Sequence, residues 1–244
     1  MIAAVRAAAR ELTAFLRAAL VDPVAQEQRE ADHIIRRRRW VAFSTLVAGS
    51  GVLGWTLRIE PGDPMFYVAG GLLAVVWAGG AVLSGALRLG RAHTRSGRAP
   101  ALPIVQSLAL GALLLGLFLA GATVVAQVPV LRKSVDQLLD HAQLGSLAVV
   151  ALITTANGVA EELYFRGALY AAVNRRHAVA ITTIAYTAVT VFTGVPLLVL
   201  AAFVLGLITG LQRRVTGGIL GPTVTHLVWS LGMLFLLPVI LAQF

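Results

Sequence analysis

The sequence predicts an all-α fold, a polytopic transmembrane helical bundle of about seven spans. Hydrophobic residues make up 58% of the chain and charged residues 13%. Mean hydropathy is +0.82, the balance of an integral membrane protein rather than a soluble domain. The apolar residues also fall into separate segments of roughly 17–25 residues, the length a helix needs to cross the hydrocarbon core. Finally, the basic residues gather in alternate connections, as they do in multi-pass chains oriented by the positive-inside rule.

The spans are expected near 41–57, 66–87, 104–128, 146–173, 178–193, 196–211 and 219–240. Residues 1–40 read as a basic N-terminal arm ahead of a transmembrane domain at 41–244. No apolar core follows the early arginines, so the arm is not expected to be a signal peptide. Ile2 to Leu20 is alanine-rich with arginines on a helical period. It fits either an amphipathic helix on the inner leaflet or a solvated helical tail. Arg36 to Arg39 followed by Trp40 reads as a stop at the membrane interface. The stretch 91–100 is polar and rich in breakers, a flexible loop. Val135, Leu138 and Leu139 have helical spacing, which fits a short surface helix within 130–143. Gly206 and Gly210 lie four apart, a small-residue face for close helix packing.

The net charge is +9. Its distribution explains it better than nucleic-acid binding does, and no nucleic-acid partner is expected. Arg6, Arg10, Arg17, Arg29 and Arg36–Arg39 precede the first span, and Arg88, Arg91, Arg95 and Arg98 lie in the second-to-third loop. Arg175, Arg176, Arg213 and Arg214 fall on the same side, against Arg58, Arg132 and Lys133 on the other. That bias predicts a cell-membrane protein with a cytoplasmic N-terminus and an external C-terminus. The lipid bilayer is then a partner, with anionic lipid attracted to the basic side.

The chemically informative segment is 146–173. Of the eleven acidic residues, only Glu161 and Glu162 fall inside an apolar segment. A carboxylate in hydrocarbon costs several kcal/mol unless paired, hydrated or protonated, so an intramembrane ionisable residue marks a functional site by default. Glu162 and Arg166 are four apart on one helix face in the favourable order, acid before base. Glu161 is rotated about 100° away and stays free of that pairing. Thr154, Asn157 and Glu161 share a face, and Glu161 lies about 22 Å along the helix from Ser146, deep in the membrane. The bland reading is a structural ion pair that ties helices together.

Among the histidines, His33, His93, His141 and His177 fall in loops, tails or span edges, and only His226 lies inside an apolar span. Pro222 suits the first turn of its helix, and Ser230 follows on the same face. A membrane histidine is often only a helix-to-helix hydrogen-bonding group. Other chemistries are excluded by composition. Cysteine is absent, so there is no disulfide, thiolate metal site or cysteine nucleophile. The lone lysine, Lys133, lies in a loop, no aspartate lies in a span and there is no HExxH. One histidine and two adjacent glutamates make a poor zinc set, so neither a metal nor another cofactor is expected.

These residues resemble a known family. Glu161 to Gly167, EELYFRG, followed by Arg175–Arg176 and a later span with a central histidine, is similar to the CPBP family. Its members are the CAAX-protease and bacteriocin-processing intramembrane glutamic endopeptidases, also called the Abi family. The resemblance covers about 146–240. It implies that Glu161 activates a water while Glu162 and Arg166 support the site. It also implies two histidines, from FxxxH and HxxxN or HxxxD motifs, that bind water and stabilise the oxyanion. Here the first motif is best matched by Tyr186 to Thr190, with Thr190 in place of histidine. The second keeps His226 and has Ser230 in place of Asn or Asp. Thr190 and Ser230 can donate and accept hydrogen bonds but carry no positive charge.

The resemblance implies an intramembrane endopeptidase acting on membrane-embedded or lipidated peptides. Glu161 is its general base, and Glu162, Arg166, His226, Thr190 and Ser230 complete the candidate site. The alternative is a catalytically inactive membrane scaffold or immunity protein of the same fold. A proton or cation transporter, the third class, would spread its acidic and polar residues over several spans.

Overall fold

The computed structural model describes residues 2–24, 31–56, 58–60, 62–93, 100–129, 131–132, 135, 139, 146–173 and 176–243. Among them are eight helices: α1 (Ile2–Leu20), α2 (Asp32–Thr56), α3 (Met65–Ser84), α4 (Ile104–Val125), α5 (Leu147–Ala172), α6 (Ala178–Val191), α7 (Pro196–Thr216) and α8 (Leu220–Leu241). The described residues contain no strand, only an isolated antiparallel bridge between Ala92 and Ala101. Helices α3, α4, α5, α7 and α8 are long and apolar enough to cross a membrane. The chain is a multi-pass membrane protein. Arg29, Arg95, Arg98, Lys133, Leu138, His141 and Arg175 lie outside the described residues, as does most of 130–143.

Several boundaries differ from the expectation: α4 ends at Val125 rather than 128, and α7 runs on to Thr216 rather than 211, which puts Arg213 and Arg214 within a helix. Helix α2 starts at Asp32, so Arg36–Arg39 sit within a helix instead of stopping one. Arg38 is fully buried, and its guanidinium donates to Ser84 Oγ and Ala86 O, each at 3.2 Å. Arg39 Nε donates to Ala172 O at 3.0 Å, and Trp40 faces outward. Hydropathy scores such arginines as water-seeking because it cannot see the carbonyls waiting for them. Helix α3 ends at Ser84 rather than 87. The chain beyond it runs along the α7–α8 turn. Arg91 N–H donates to Thr216 O at 2.8 Å, Ile219 N–H to Arg88 O at 2.9 Å and Leu220 N–H to Leu89 O at 3.0 Å. A Cβ on Gly218 would collide with the Leu89–Gly90 backbone, so glycine is what lets this strap close.

Helix α6, with 14 residues, is about 21 Å long, short of the roughly 30 Å hydrocarbon core. It lies against α7, where Gly206 faces Tyr186 and Thr183 and Gly210 faces Val179, as the small-residue spacing predicts. Proline opens α7 at its first turn, and Gly217 ends it in a left-handed turn (φ 70°) with its N–H on Arg213 O. Helix α1 is anchored by its C-terminal end. Ala19 is buried, Arg214 donates to Leu20 O at 3.2 Å and Val24 N–H donates to Val215 O at 2.9 Å.

The central core joins α2 through α8 around Trp77, Tyr164, Phe165, Leu205 and Trp229, with Leu114 contributed by α4. The Trp77 ring centroid is 4.6 Å from Tyr164 and 5.2 Å from Phe165. Tyr164 donates its hydroxyl to Ala42 O at 2.5 Å, which ties α5 to α2. Trp77 fits because Gly49 on α2 has no side chain; a Cβ there would fall on the indole. Gly49→Ala should therefore destabilise the protein by about 1–3 kcal/mol through overpacking. Gly54→Ala, with nothing within 4 Å of the added carbon, should be neutral or stabilising by up to about 1 kcal/mol. Thermal unfolding of the two variants in one detergent checks the contrast.

Candidate active site

Helix α5 changes character where the two glutamates lie. It is α-helical over Leu147–Glu162, π-helical over Leu163–Leu169 and α-helical again over Tyr170–Ala172. The N–H of Tyr170 reaches Phe165 O, five residues back. Such wide turns are uncommon and recur at functional sites. Every residue from Tyr164 to Tyr170 is buried. A helix buried on all sides has no lipid-facing stripe, so this segment runs through the middle of the bundle. One turn above, Asn157 Nδ2 donates to Gly70 O at 3.0 Å and fixes α5 to α3.

Glu162 and Arg166 are both fully buried, with Arg166 Nη1 donating to Glu162 Oε1 at 3.1 Å. The same oxygen accepts His226 Nδ1–H at 2.8 Å, the tautomer that a carboxylate acceptor dictates. Glu162 therefore joins α5 to α8 through one oxygen. Arg166 is held further by its backbone and its ring neighbours. Its carbonyl accepts Arg213 Nε at 2.7 Å, and its guanidinium carbon lies 4.8 Å over the Tyr186 ring. Three ionisable groups are thus packed where isolated charges would be very costly, and their mutual pairing is what makes this tolerable.

Glu161 looks the other way. Its Oε2 accepts the Tyr186 hydroxyl at 2.6 Å, and Tyr186 is its only hydrogen-bonding partner among the described residues. Both side chains line a cavity of about 110 Å³ together with Thr190, Trp77, Phe165 and Trp229. Apart from Thr193 the remaining walls are apolar, including Leu53, Val189, Leu198 and Leu205. A half-buried carboxylate faces a small apolar cavity, with a phenol as its partner.

The expected site residues separate into two groups. Glu161 and Thr190 reach the cavity. Glu162, Arg166 and His226 form the buried network behind it and are not part of its lining. The Thr190 hydroxyl donates to Tyr186 O at 2.8 Å, so its proton is committed to its own helix. Ser230 also stands outside the lining, and its buried hydroxyl has no partner among the described residues. Tyr186 was read from the sequence only as the start of a motif. Its spacing of four from Thr190 was the signal that both share the face turned toward Glu161. Nothing in the sequence pointed to Trp229, whose buried indole N–H also lacks an acceptor among the described residues. No three His, Asp or Glu side chains among the described residues converge as a metal-holding group.

Residues 143–232 match the family model described as type II CAAX prenyl endopeptidase Rce1-like. The matched segment contains both glutamates, Arg166, Tyr186, Thr190, His226 and Ser230, and bears out the resemblance read from EELYFRG. No curated protein and no solved structure matches the chain.

Proposed function

On the premise of that match to the Rce1-like CAAX endopeptidases, we propose that this protein is an intramembrane endopeptidase in which Glu161 activates a water. One observation carries the reading: of two adjacent glutamates, Glu162 is buried and held by Arg166 and His226 through Oε1, while Glu161 opens onto a cavity with a single neutral partner. A carboxylate placed this way can take a proton from a water held in the cavity. The water oxygen then bonds to the scissile carbonyl carbon, and the proton on Glu161 passes to the departing amide nitrogen. Glu162 and Arg166 hold the motif helix in place. His226, oriented by Glu162 through Nδ1, locks α8 to α5, and its other ring nitrogen is left to hydrogen-bond the water or the developing oxyanion. Thr190 and Ser230 are secondary polar groups, and the apolar walls hold the cleaved chain. The substrates are membrane-embedded or lipidated peptides. The protein resides in the cell membrane with its N-terminus in the cytoplasm, as the arginine distribution supports.

A second reading is a catalytically inactive scaffold or immunity protein of the same fold. It is favoured by Thr190, whose hydroxyl is spent on the Tyr186 carbonyl. A quantitative survey of peptide termini in membrane fractions separates the two. Cells expressing the natural chain are compared with cells expressing Glu161→Ala at equal abundance. New termini that depend on Glu161 are expected and would name the substrates. Identical termini, with both proteins folded, would leave the scaffold.

A further inference from the structure

Peptide hydrolysis places negative charge on two oxygens in succession: first the attacking water and then the former carbonyl oxygen. Glu161 takes care of the first. The second needs a hydrogen-bond donor already in place on the cavity side of Glu161. Of the other polar groups nearby, His226 Nδ1 is turned onto Glu162 and the Thr190 hydroxyl onto a backbone carbonyl, each at 2.8 Å, while His226 and Ser230 stand outside the cavity lining. The Trp229 indole N–H and the Thr193 hydroxyl are also in the lining, but neither is hydrogen-bonded to Glu161. The Tyr186 hydroxyl is in the cavity, 2.6 Å from Glu161.

The Tyr186 ring is held on several sides. The Arg166 guanidinium carbon sits 4.8 Å over its face. The Phe165 ring meets it edge-on with centroids 4.8 Å apart. Gly206 leaves room at its rim, where an added Cβ would come within 3.3 Å of Tyr186 Cδ1. A ring fixed this firmly keeps its hydroxyl at the mouth of the Glu161 carboxylate without an entropic cost at the moment of reaction. The cavity, about 110 Å³, is well above the 10–15 Å³ that roughly one water needs.

We propose that Tyr186 is a further catalytic residue of this site, a donor whose hydrogen bond moves from Glu161 to the substrate oxygen as charge develops there. The proposal rests on the endopeptidase reading above. In the resting site the phenol donates to a carboxylate, a charge-assisted bond. When Glu161 takes the water proton it becomes a neutral acid, and that bond weakens. At the same moment the water oxygen bonds to the carbonyl carbon, and the π pair moves to the carbonyl oxygen. That oxygen is now the strongest acceptor in the cavity, and the phenol turns to it without giving up its proton. On collapse the C–N bond breaks, Glu161 returns its proton to the amide nitrogen, and the phenol falls back onto the regenerated carboxylate. The interaction is stronger in the transition state than in the ground state, so it raises turnover rather than affinity.

The test uses the full chain in lipid nanodiscs, an internally quenched hydrophobic peptide, and a phosphinic peptide of the same sequence that mimics the tetrahedral oxyanion. Tyr186→Phe keeps the ring, and with it the Arg166 and Phe165 contacts. It should lower kcat about 10²–10³-fold, the usual effect of losing one oxyanion donor, with KM within about threefold. Affinity for the phosphinic peptide should fall by the same factor as kcat/KM. Turnover close to that of the natural chain would overturn the proposal and leave the endopeptidase reading standing. So would a loss of kcat with undiminished phosphinic-peptide binding, which would make Tyr186 only a positioning residue for Glu161. A natural chain that neither cleaves the peptide nor binds its phosphinic form would overturn both.

Discussion

Glu162→Ala is expected to be the most destabilising single substitution in the site, by about 3–5 kcal/mol. The alanine removes the acceptor shared by Arg166 and His226, at 3.1 and 2.8 Å, and leaves a fully buried guanidinium without its counter-charge. Two further nitrogens of that guanidinium, Nε and Nη2, already lack partners among the described residues, so the group has no second acceptor to turn to. Removing one member of a buried ion pair costs more than the pair itself contributes, because the remaining charge stays in a low-dielectric interior. Glu162→Gln keeps an oxygen that accepts both donors and loses only the charge, so its effect should be smaller. Thermal unfolding in detergent, read by intrinsic fluorescence and by the monodisperse fraction on size exclusion, measures both variants. Equal stability of Glu162→Ala and the natural chain would show that the network does not hold α5 to α8.

Glu161→Gln, one residue away, should do the opposite. It should change stability by no more than about 1 kcal/mol, since the hydrogen bond to Tyr186 is kept and only its charge assistance is lost. Glutamine has nearly the same volume, and its amide oxygen accepts the Tyr186 hydroxyl as Glu161 Oε2 does at 2.6 Å. What glutamine cannot do is take a proton from water, so turnover should fall at least about 10³-fold, within the range of a lost general base. Purified protein assayed on a cleaved peptide, with unfolding measured on the same samples, reads both effects. Retained cleavage would remove Glu161 as the base. Lost cleavage with lost stability would move it into the structural network beside Glu162. The two adjacent carboxylates are thus assigned different work: one is expected to fail in folding, the other in chemistry.

Much of this was legible in the sequence because membrane insertion is a local, additive property. Whether a segment enters hydrocarbon depends on its own side chains, and segment boundaries followed from composition to within a few residues in α4 and α8. The Glu162–Arg166 pair was equally legible, since a spacing of four on a helix fixes a contact with no outside help. The exclusion of Glu161 from that pair followed from the same geometry. Gly206 and Gly210 announced a close helix contact in the same way.

What the sequence could not supply were contacts between segments distant in the chain. Arg38 reads as a charge at an interface, yet it is buried against Ser84 and Ala86. His226 reads as a partner for a reacting water. The fold places it on Glu162, 64 residues away in sequence. The sequence marks Tyr186 only as the start of a motif, and the packing of α6 in the bundle is what brings its hydroxyl onto Glu161. The sequence by itself determined that the chain is a membrane bundle with a charged constellation on one helix, because insertion and helical spacing are set within a segment. Only the tertiary structure decided what each glutamate faces, Tyr186 for one and His226 for the other, because those contacts depend on how α5, α6 and α8 meet.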